Sequence, residues 1–210
     1  VSSQLVRQDD WVIVDGDAGV IIVDPSAIIL AEYGYRQRQM EWERERLTRL
    51  RHTPAITLDG HRIELLANIE QPSDAAVAVR VGAVGVGLFR TEFLFMGRHG
   101  VLPDEEEQYR AYRDAVEGMQ GLPVTIRTVD VGADKPLDKS HKESHLSPAL
   151  GLRAIRWSLD DPAMFRVQLR ALLRAAMHGP VNVLFPMLAH TSEILQTLAQ
   201  VELARAELQE

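Results

Sequence analysis

Three arginines are the side chains in this sequence whose types and spacing could do chemistry. Arg90 stands in VGLFRTEFLFMGR, two residues before Glu92, and Arg127 stands in VTIRTVD, three residues before Asp130. The third, Arg153, stands in LGLR. A guanidinium group forms paired hydrogen bonds with phosphate and carboxylate oxygens and keeps its charge at any working pH. Several at one place would bind a compact, multiply charged anion, such as a phosphorylated carboxylate.

Neighbouring polar residues are predicted to support these arginines. Glu92 and Asp130 would order the guanidinium groups or hold a water molecule beside them, and Thr91 is interpreted in the same way. Lys135 adds a cation to the loop VGADK after Asp130. A plainer interpretation stays open, because a single arginine at a strand end is more often a surface or salt-bridge residue than a ligand.

Two further groups of residues are interpreted as structural. Phe89, Phe93 and Phe95 surround the first arginine and are predicted to pack in the core. The acidic run DEEE at 104–107 follows Pro103 and is predicted to open a helix. Acidic side chains there complement the positive end of the helix dipole, so we expect no catalytic role for them.

The elements that must position the arginines begin at Pro54, where apolar strand-like runs alternate with helical patterns. The predicted strands are 63–69, 86–92, 124–130 and 181–188, and the predicted helices are 72–82, 104–119, 149–179 and 191–209. Such a series favours right-handed strand–helix–strand crossovers and a parallel sheet. An eight-unit barrel usually needs about 250 residues. These four units therefore predict either a small open α/β sheet or half of a barrel. Arg90 and Arg127 would lie at the carboxyl ends of two strands, and Arg153 at a helix entry after the second of them.

The first fifty residues have a different pattern. WVIVD at 11–15 and VIIVD at 20–24 are β-branched runs separated by DGDAG, which predicts a β-hairpin belonging to a larger domain. Asp24 and Pro25 are predicted to cap and begin a helix. The charged stretch from there to His52 predicts an exposed helix that connects two domains.

Composition limits the possible functions. The chain has 210 residues, a net charge of -7 and no cysteine. The negative charge argues against nucleic acid as the main partner, and the absence of cysteine excludes disulfides and a thiol nucleophile within this chain. Neither a membrane-spanning run nor a signal peptide is evident, so we expect a cytoplasmic protein. Val1 in place of an initiator methionine predicts a processed or excised piece.

Four motifs, in order, carry a family resemblance: GVGLFRTEFLFM, TIRTVDVGADK, LGLRAIRWSL and VLFPM. They resemble motifs of Enzyme I of the bacterial phosphotransferase system, the phosphoenolpyruvate–protein phosphotransferases. The resemblance implies that residues 54–210 are the first half of a phosphoenolpyruvate-binding (β/α)8 TIM barrel. It also implies that 28–53 is a linker helix and that 1–27 is a β-hairpin remnant of the phosphohistidine domain.

The resemblance further implies a reaction. Enzyme I transfers the phosphoryl group of phosphoenolpyruvate to its own histidine, with Mg²⁺, and then to the carrier protein HPr in sugar uptake. Arg90 and Arg127 match arginines that hold the phosphate, and Arg153 matches a further site arginine. The phosphohistidine motif, the metal ligands and the catalytic cysteine are expected outside this chain. We therefore expect no metal site and no catalytic residue in it, and no activity from it alone.

Other interpretations remain. Pyruvate phosphate dikinase and phosphoenolpyruvate synthase use the same barrel, and a non-catalytic anion-binding module is a third possibility. The open edges of a half barrel would be templates for association. A homodimer is therefore expected, either through these edges or by the pairing of two halves.

Overall fold

The computed structural model describes residues 6–96, 98, 101–131 and 151–209. Lys135 and its loop lie outside the described residues. The chain forms two compact units, one ending at Thr53 and the other beginning at Pro54. None of the helices in the described part of the chain is long and apolar enough to cross a membrane.

The N-terminal unit contains the predicted hairpin. Strands β1 (Val12–Asp15) and β2 (Val20–Val23) pair antiparallel. The turn between them is closed by Asp15, whose Oδ1 accepts hydrogen bonds from the backbone N–H groups of Asp17 (3.1 Å) and Ala18 (2.8 Å). A side chain that bonds the backbone two or three residues on is a common way to stabilise such a turn.

Helix α1 (Ala27–Thr48) follows and continues into a 3₁₀ turn at Arg49–His52. The prediction that Asp24 and Pro25 begin this helix is wrong. Asp24 has a left-handed backbone with φ of 49°, and Ser26 is the N-cap, accepting a hydrogen bond from the N–H of Ile29. None of the residues of α1 is buried, in keeping with its charged composition.

The second unit contains the predicted parallel sheet. Its strands are β3 (Ala67–Ile69), β4 (Val86–Arg90), β5 (Val124–Arg127) and β6 (Val181–Leu184), adjacent in that order and all parallel. The class prediction, α/β with a parallel sheet, is confirmed. The strands are shorter than the apolar runs. The last one ends before Pro186, which has no N–H to donate to a ladder.

Helices connect and follow these strands. They are α2 (Asp74–Val81), α3 (Glu92–Phe95), α4 (Glu105–Gly118), α5 (Ile155–Asp160), α6 (Pro162–Ala175), a 3₁₀ turn (Ala176–His178) and α7 (Thr191–Glu207). The single helical pattern predicted over 149–179 is divided in two. Asp161 leaves the helical conformation (φ -116°, ψ 76°) and caps α6, because its carboxylate accepts from the N–H of Met164 at 3.1 Å.

The core of this unit lies between the sheet and helices α4 and α6. Phe89 on β4 packs edge-to-face against Tyr112 on α4, with ring centroids 6.1 Å apart. Both side chains are buried, as are Ile126 and Phe165. Close packing also explains Gly87, because a Cβ there would lie 2.9 Å from Cβ of Leu66.

The acidic run at the start of α4 has a structural role. Asp104 caps the helix, accepting from the N–H of Glu107 at 2.8 Å. Glu105 lies between two arginines of α6, 2.7 Å from Arg170 and 2.8 Å from Arg174. Burial alone would raise the pKa of Glu105, but the hydrogen bonds from these arginines outweigh it and lower that pKa. The run therefore joins α4 to α6 as well as complementing the helix dipole.

Candidate anion-binding site

Two of the three predicted arginines end neighbouring strands. Arg90 is the last residue of β4, Arg127 is the last residue of β5, and the two are direct partners in the parallel register. Their backbones therefore reach the carboxyl edge of the sheet at the same level. That edge is where parallel α/β folds bind their ligands.

The side chain of Arg90 is held by a residue that follows β3, the strand on the opposite side of β4 from β5. Its Nη2 forms an ion pair with Glu70, the residue that follows β3. Its guanidinium group also lies over the ring of Phe93, 5.8 Å from the centroid. Phe93 is 44% exposed, so its assignment to the core is wrong, whereas Phe89 and Phe95 are buried. The ring instead offers a cation–π contact to the arginine.

Glu70 was not identified from the sequence. The arginines were identified because they stand at the ends of predicted strands. Glu70 could have been identified in the same way, since it lies at the carboxyl end of the first parallel strand. Its distance of twenty residues from Arg90 in the chain concealed the pair.

Arg127 is held by two carboxylates. Its Nη2 donates to Glu92 Oε1 at 3.0 Å, and its Nη1 lies 3.6 Å from Asp130 Oδ2. Glu92 is buried, and the same Oε1 accepts from the backbone N–H of Asp130 at 2.8 Å. Glu92 therefore joins the arginine at the end of β5 to the chain that follows it.

Arg153 reaches the site from the segment before α5. Its Nη2 donates to Asp130 Oδ1 at 2.9 Å, and its Nε donates to the same oxygen at 3.3 Å. Because Asp130 also faces Arg127, this one carboxylate connects two guanidinium groups. The structure thus brings together Arg90, Arg127 and Arg153, which we call the arginine cluster.

Thr91 supports the cluster through the backbone. Its hydroxyl is buried and donates to the carbonyl oxygen of Arg127 at 2.8 Å. Thr91 and Glu92 both follow Arg90 in the sequence, yet both act on Arg127. Of the four predicted supporting residues, Thr91, Glu92 and Asp130 lie at the cluster, and Lys135 lies outside the described residues.

Several polar atoms of the site have no hydrogen-bond partner within the described chain. These buried atoms are Arg90 Nε, Arg127 Nε and Glu92 Oε2. Buried polar groups are nearly always paired, so unpaired donors in a cluster indicate a position where a ligand or water supplies the partner. Two of the three atoms are guanidinium donors, one on each of the paired arginines, and such donors suit an anion with several oxygens.

The donor set does not suit a resident metal ion. Glu70, Glu92 and Asp130 each face an arginine, which competes with any cation. Within the described residues, no group of three or more His, Cys, Asp or Glu side chains could hold a metal. The chemistry that this site supports is the binding of an anion.

The fold and the site together define a class of protein: parallel α/β domains that carry arginines at the carboxyl edge of the sheet. Comparison with known families identifies the particular one. The chain belongs to the family of PEP-utilising enzymes, because the model of their PEP-binding domain matches residues 44–210.

Curated relatives agree with this assignment. The chain is 64% identical over 211 residues to the phosphoenolpyruvate-protein phosphotransferase of Cupriavidus necator, covering 100% of this chain and 36% of that protein. It is 43% identical to the protein of the same name from Staphylococcus carnosus, over 97% of this chain and 35% of the relative. The resemblance found from the four motifs is confirmed. The chain spans about a third of the length of these relatives.

Proposed function

We propose that the unit beginning at Pro54 is the first half of a phosphoenolpyruvate-binding (β/α)8 barrel in a phosphoenolpyruvate–protein phosphotransferase. Its four parallel strands with intervening helices support this proposal, as does the match to the PEP-binding domain. The relatives are about three times as long as this chain, which leaves ample length for the other half of a barrel.

The observation that carries the proposal is the register of Arg90 and Arg127 at the carboxyl edge. In the proposed complex these two arginines hold the phosphate of phosphoenolpyruvate. Arg153, which Asp130 holds beside Arg127, is the third positively charged side chain at the site. Guanidinium groups held in place before the ligand arrives stabilise the charge of a transferring phosphoryl group without reorganising. Glu70, Glu92 and Asp130 supply that prior order.

The complete reaction belongs to the longer protein. We propose that it transfers the phosphoryl group of phosphoenolpyruvate to a histidine of the same protein and then to HPr, in the cytoplasm. Mg²⁺ would be bound by ligands outside this chain. In this proposal the hairpin within 1–27 is a remnant of the phosphohistidine domain, and 28–53 is the linker helix. The chain alone would bind the substrate without turning it over.

The names of the relatives favour this function over its nearest alternatives. Pyruvate phosphate dikinase and phosphoenolpyruvate synthase would use a similar barrel, but two relatives that align with 97% or more of this chain are named phosphoenolpyruvate-protein phosphotransferase. A non-catalytic anion-binding module remains a description of the isolated chain rather than of the longer protein.

The test is to measure phosphoenolpyruvate binding to this chain by calorimetry, with and without Mg²⁺. We expect Arg127→Ala to weaken binding about a hundredfold, because it removes a charged, two-point contact. Arg205→Ala is the matched control, since Arg205 is an exposed arginine on α7. Equal affinities for the wild type and Arg127→Ala would refute the site. Phosphorylation of a histidine in this chain by labelled phosphoenolpyruvate would refute its proposed inactivity.

A further inference from the structure

A buried amide lies beneath the arginine cluster and has no part in the function described so far. Gln168 lies on the inner face of α6, where its helical neighbours Phe165, Leu169 and Leu172 belong to the apolar core. Its side chain is fully buried. Burial of an amide is unfavourable unless its donors and its acceptor are all bonded. The presence of Gln168 at this position therefore needs a reason.

The contacts of Gln168 use both ends of its amide. Its Oε1 accepts from the backbone N–H of Val129 at 3.1 Å. Its Nε2 donates to the hydroxyl of Tyr112 at 2.9 Å and to the hydroxyl of Thr91 at 3.4 Å. Since a backbone N–H can only donate, the oxygen of the amide must face Val129, and the orientation of the side chain is determined.

Both hydroxyls in turn donate hydrogen bonds to other acceptors. Thr91 donates to the carbonyl oxygen of Arg127, and Tyr112 donates to Gln108 Oε1 at 3.1 Å. Burial raises the pKa of Tyr112 far above its ordinary value, so this hydroxyl keeps its proton. The position of Gln168 thus requires one acceptor and two donors. A neutral side-chain amide supplies these groups, whereas a carboxylate or a hydroxyl does not.

The bonds of Gln168 converge on the chain that leaves β5. The N–H of Val129 is held by Gln168, and the next N–H, that of Asp130, is held by Glu92. The carbonyl of Arg127 is held by Thr91, itself an acceptor from Gln168. Side chains thus replace the strand ladder at the point where Asp130 turns towards the arginines.

We propose that Gln168 is a positioning residue of the anion site. It holds the backbone from Arg127 to Val129 so that Arg127 and Asp130 face the ligand in one geometry. Gln168 also reaches Thr91, the residue after Arg90, but the guanidinium group of Arg90 is held separately by Glu70, so the effect on Arg90 should be smaller. This inference rests on the proposed function for its consequence in binding, but its effect on the backbone can be measured without any ligand.

The first experiment is an NMR comparison of the ligand-free chain with its Gln168→Met variant. We expect solvent exchange of the Asp130 amide to accelerate about tenfold and the Arg127 Nε–H signal to shift more than that of Arg90. Leu172→Ala is the matched control, because it removes core packing from the same face of α6 but no hydrogen bond. Unchanged Asp130 exchange and Arg127 signals in Gln168→Met, or the same changes in Leu172→Ala, would overturn the inference.

The second experiment measures phosphoenolpyruvate affinity. We expect Gln168→Met to weaken binding about tenfold in the wild-type chain and by a clearly smaller factor when Arg127 is already alanine. An additive loss in the double variant would overturn the positioning role. If the wild-type chain does not bind phosphoenolpyruvate, the proposed function fails, and the NMR result still decides the role of Gln168.

Discussion

Arg90 and Arg127 are direct partners in the parallel register, yet they are held differently. Arg90 has a side chain 37% exposed and pairs with Glu70, which is equally exposed. Arg127 is 22% exposed and pairs with the buried Glu92. Side chains that are ordered before binding lose less conformational freedom when they bind. Arg127 is therefore the more rigid arginine of this pair. Loss of its buried partner, Glu92, should lower the stability of the fold more than loss of Glu70.

Glu92→Gln tests that difference. We expect it to lower the free energy of unfolding by about 2 kcal/mol, because Arg127 loses a buried, charged partner while Asp130 remains beside it. The measurement is urea denaturation of the chain. Glu202→Gln is the control, since Glu202 forms an exposed pair with Arg205 and should cost less than about 0.5 kcal/mol. Equal effects of the two changes would contradict the role given to Glu92.

Acid should weaken the contact between α4 and α6. The pKa of Glu105 is lower in the folded chain than its ordinary value of 4.5, so its contribution to stability is present above that pH. The contribution is lost as the pH falls further, through the folded pKa. We expect Glu105→Gln to be less stable than wild type at pH 7 and to lose less stability between pH 7 and 3. Parallel curves for the two proteins would exclude this contribution.

A side chain larger than hydrogen at position 179 should destabilise the chain by a steric clash. A Cβ at this position would lie 2.8 Å from a methyl group of Val116. We expect Gly179→Ala to destabilise the chain by about 1–2 kcal/mol, because the core is already well packed there. In the double variant with Val116→Ala, we expect a loss smaller than the sum of the two single losses by about 1 kcal/mol. Strict additivity in urea denaturation would show that the contact is not the cause.

The open edges of the sheet should associate in the isolated chain. Strands β3 and β6 are its edges within the described residues, and Val183 and Leu184 on β6 are partly exposed apolar residues. We propose that a second copy of the chain covers such an edge. Val183→Lys should then shift the chain towards a monomer in analytical ultracentrifugation, because a lysine on an edge strand opposes pairing. Gln196→Lys on α7 adds the same charge away from the edge and should leave the association unchanged. A monomeric wild-type chain at high concentration would contradict the proposal.

The sequence predicted those features that depend on neighbours along the chain. The apolar runs located the four parallel strands, and the position of Arg90 and Arg127 at the ends of two runs located one edge of the sheet. The same local patterns gave a wrong prediction where the burial of a residue depends on its contacts in the folded chain. Phe93 is an apolar aromatic residue, which is typical of a core. It follows the end of β4, however, and its ring is partly exposed beside the guanidinium group of Arg90.

The pairing of charges could not be predicted in this way. Thr91 and Glu92 follow Arg90, and a local interpretation assigns them to it, whereas the structure gives them to Arg127, about 35 residues later in the chain. Gln168 contacts Thr91 across 77 residues. The signal for Gln168 was present, since one polar residue interrupts the apolar face of α6, but its partners were not.

The sequence by itself determined the class of fold, the family and the arginines, because periodicity, turn residues and motifs are properties of short stretches. Only the tertiary structure decided which carboxylate holds which arginine and which buried amide holds the strand end. Those choices depend on the register of parallel strands and on the packing of α6 against them. Both are set by contacts between distant residues, so the geometry of the anion site emerges only when the whole sheet is assembled.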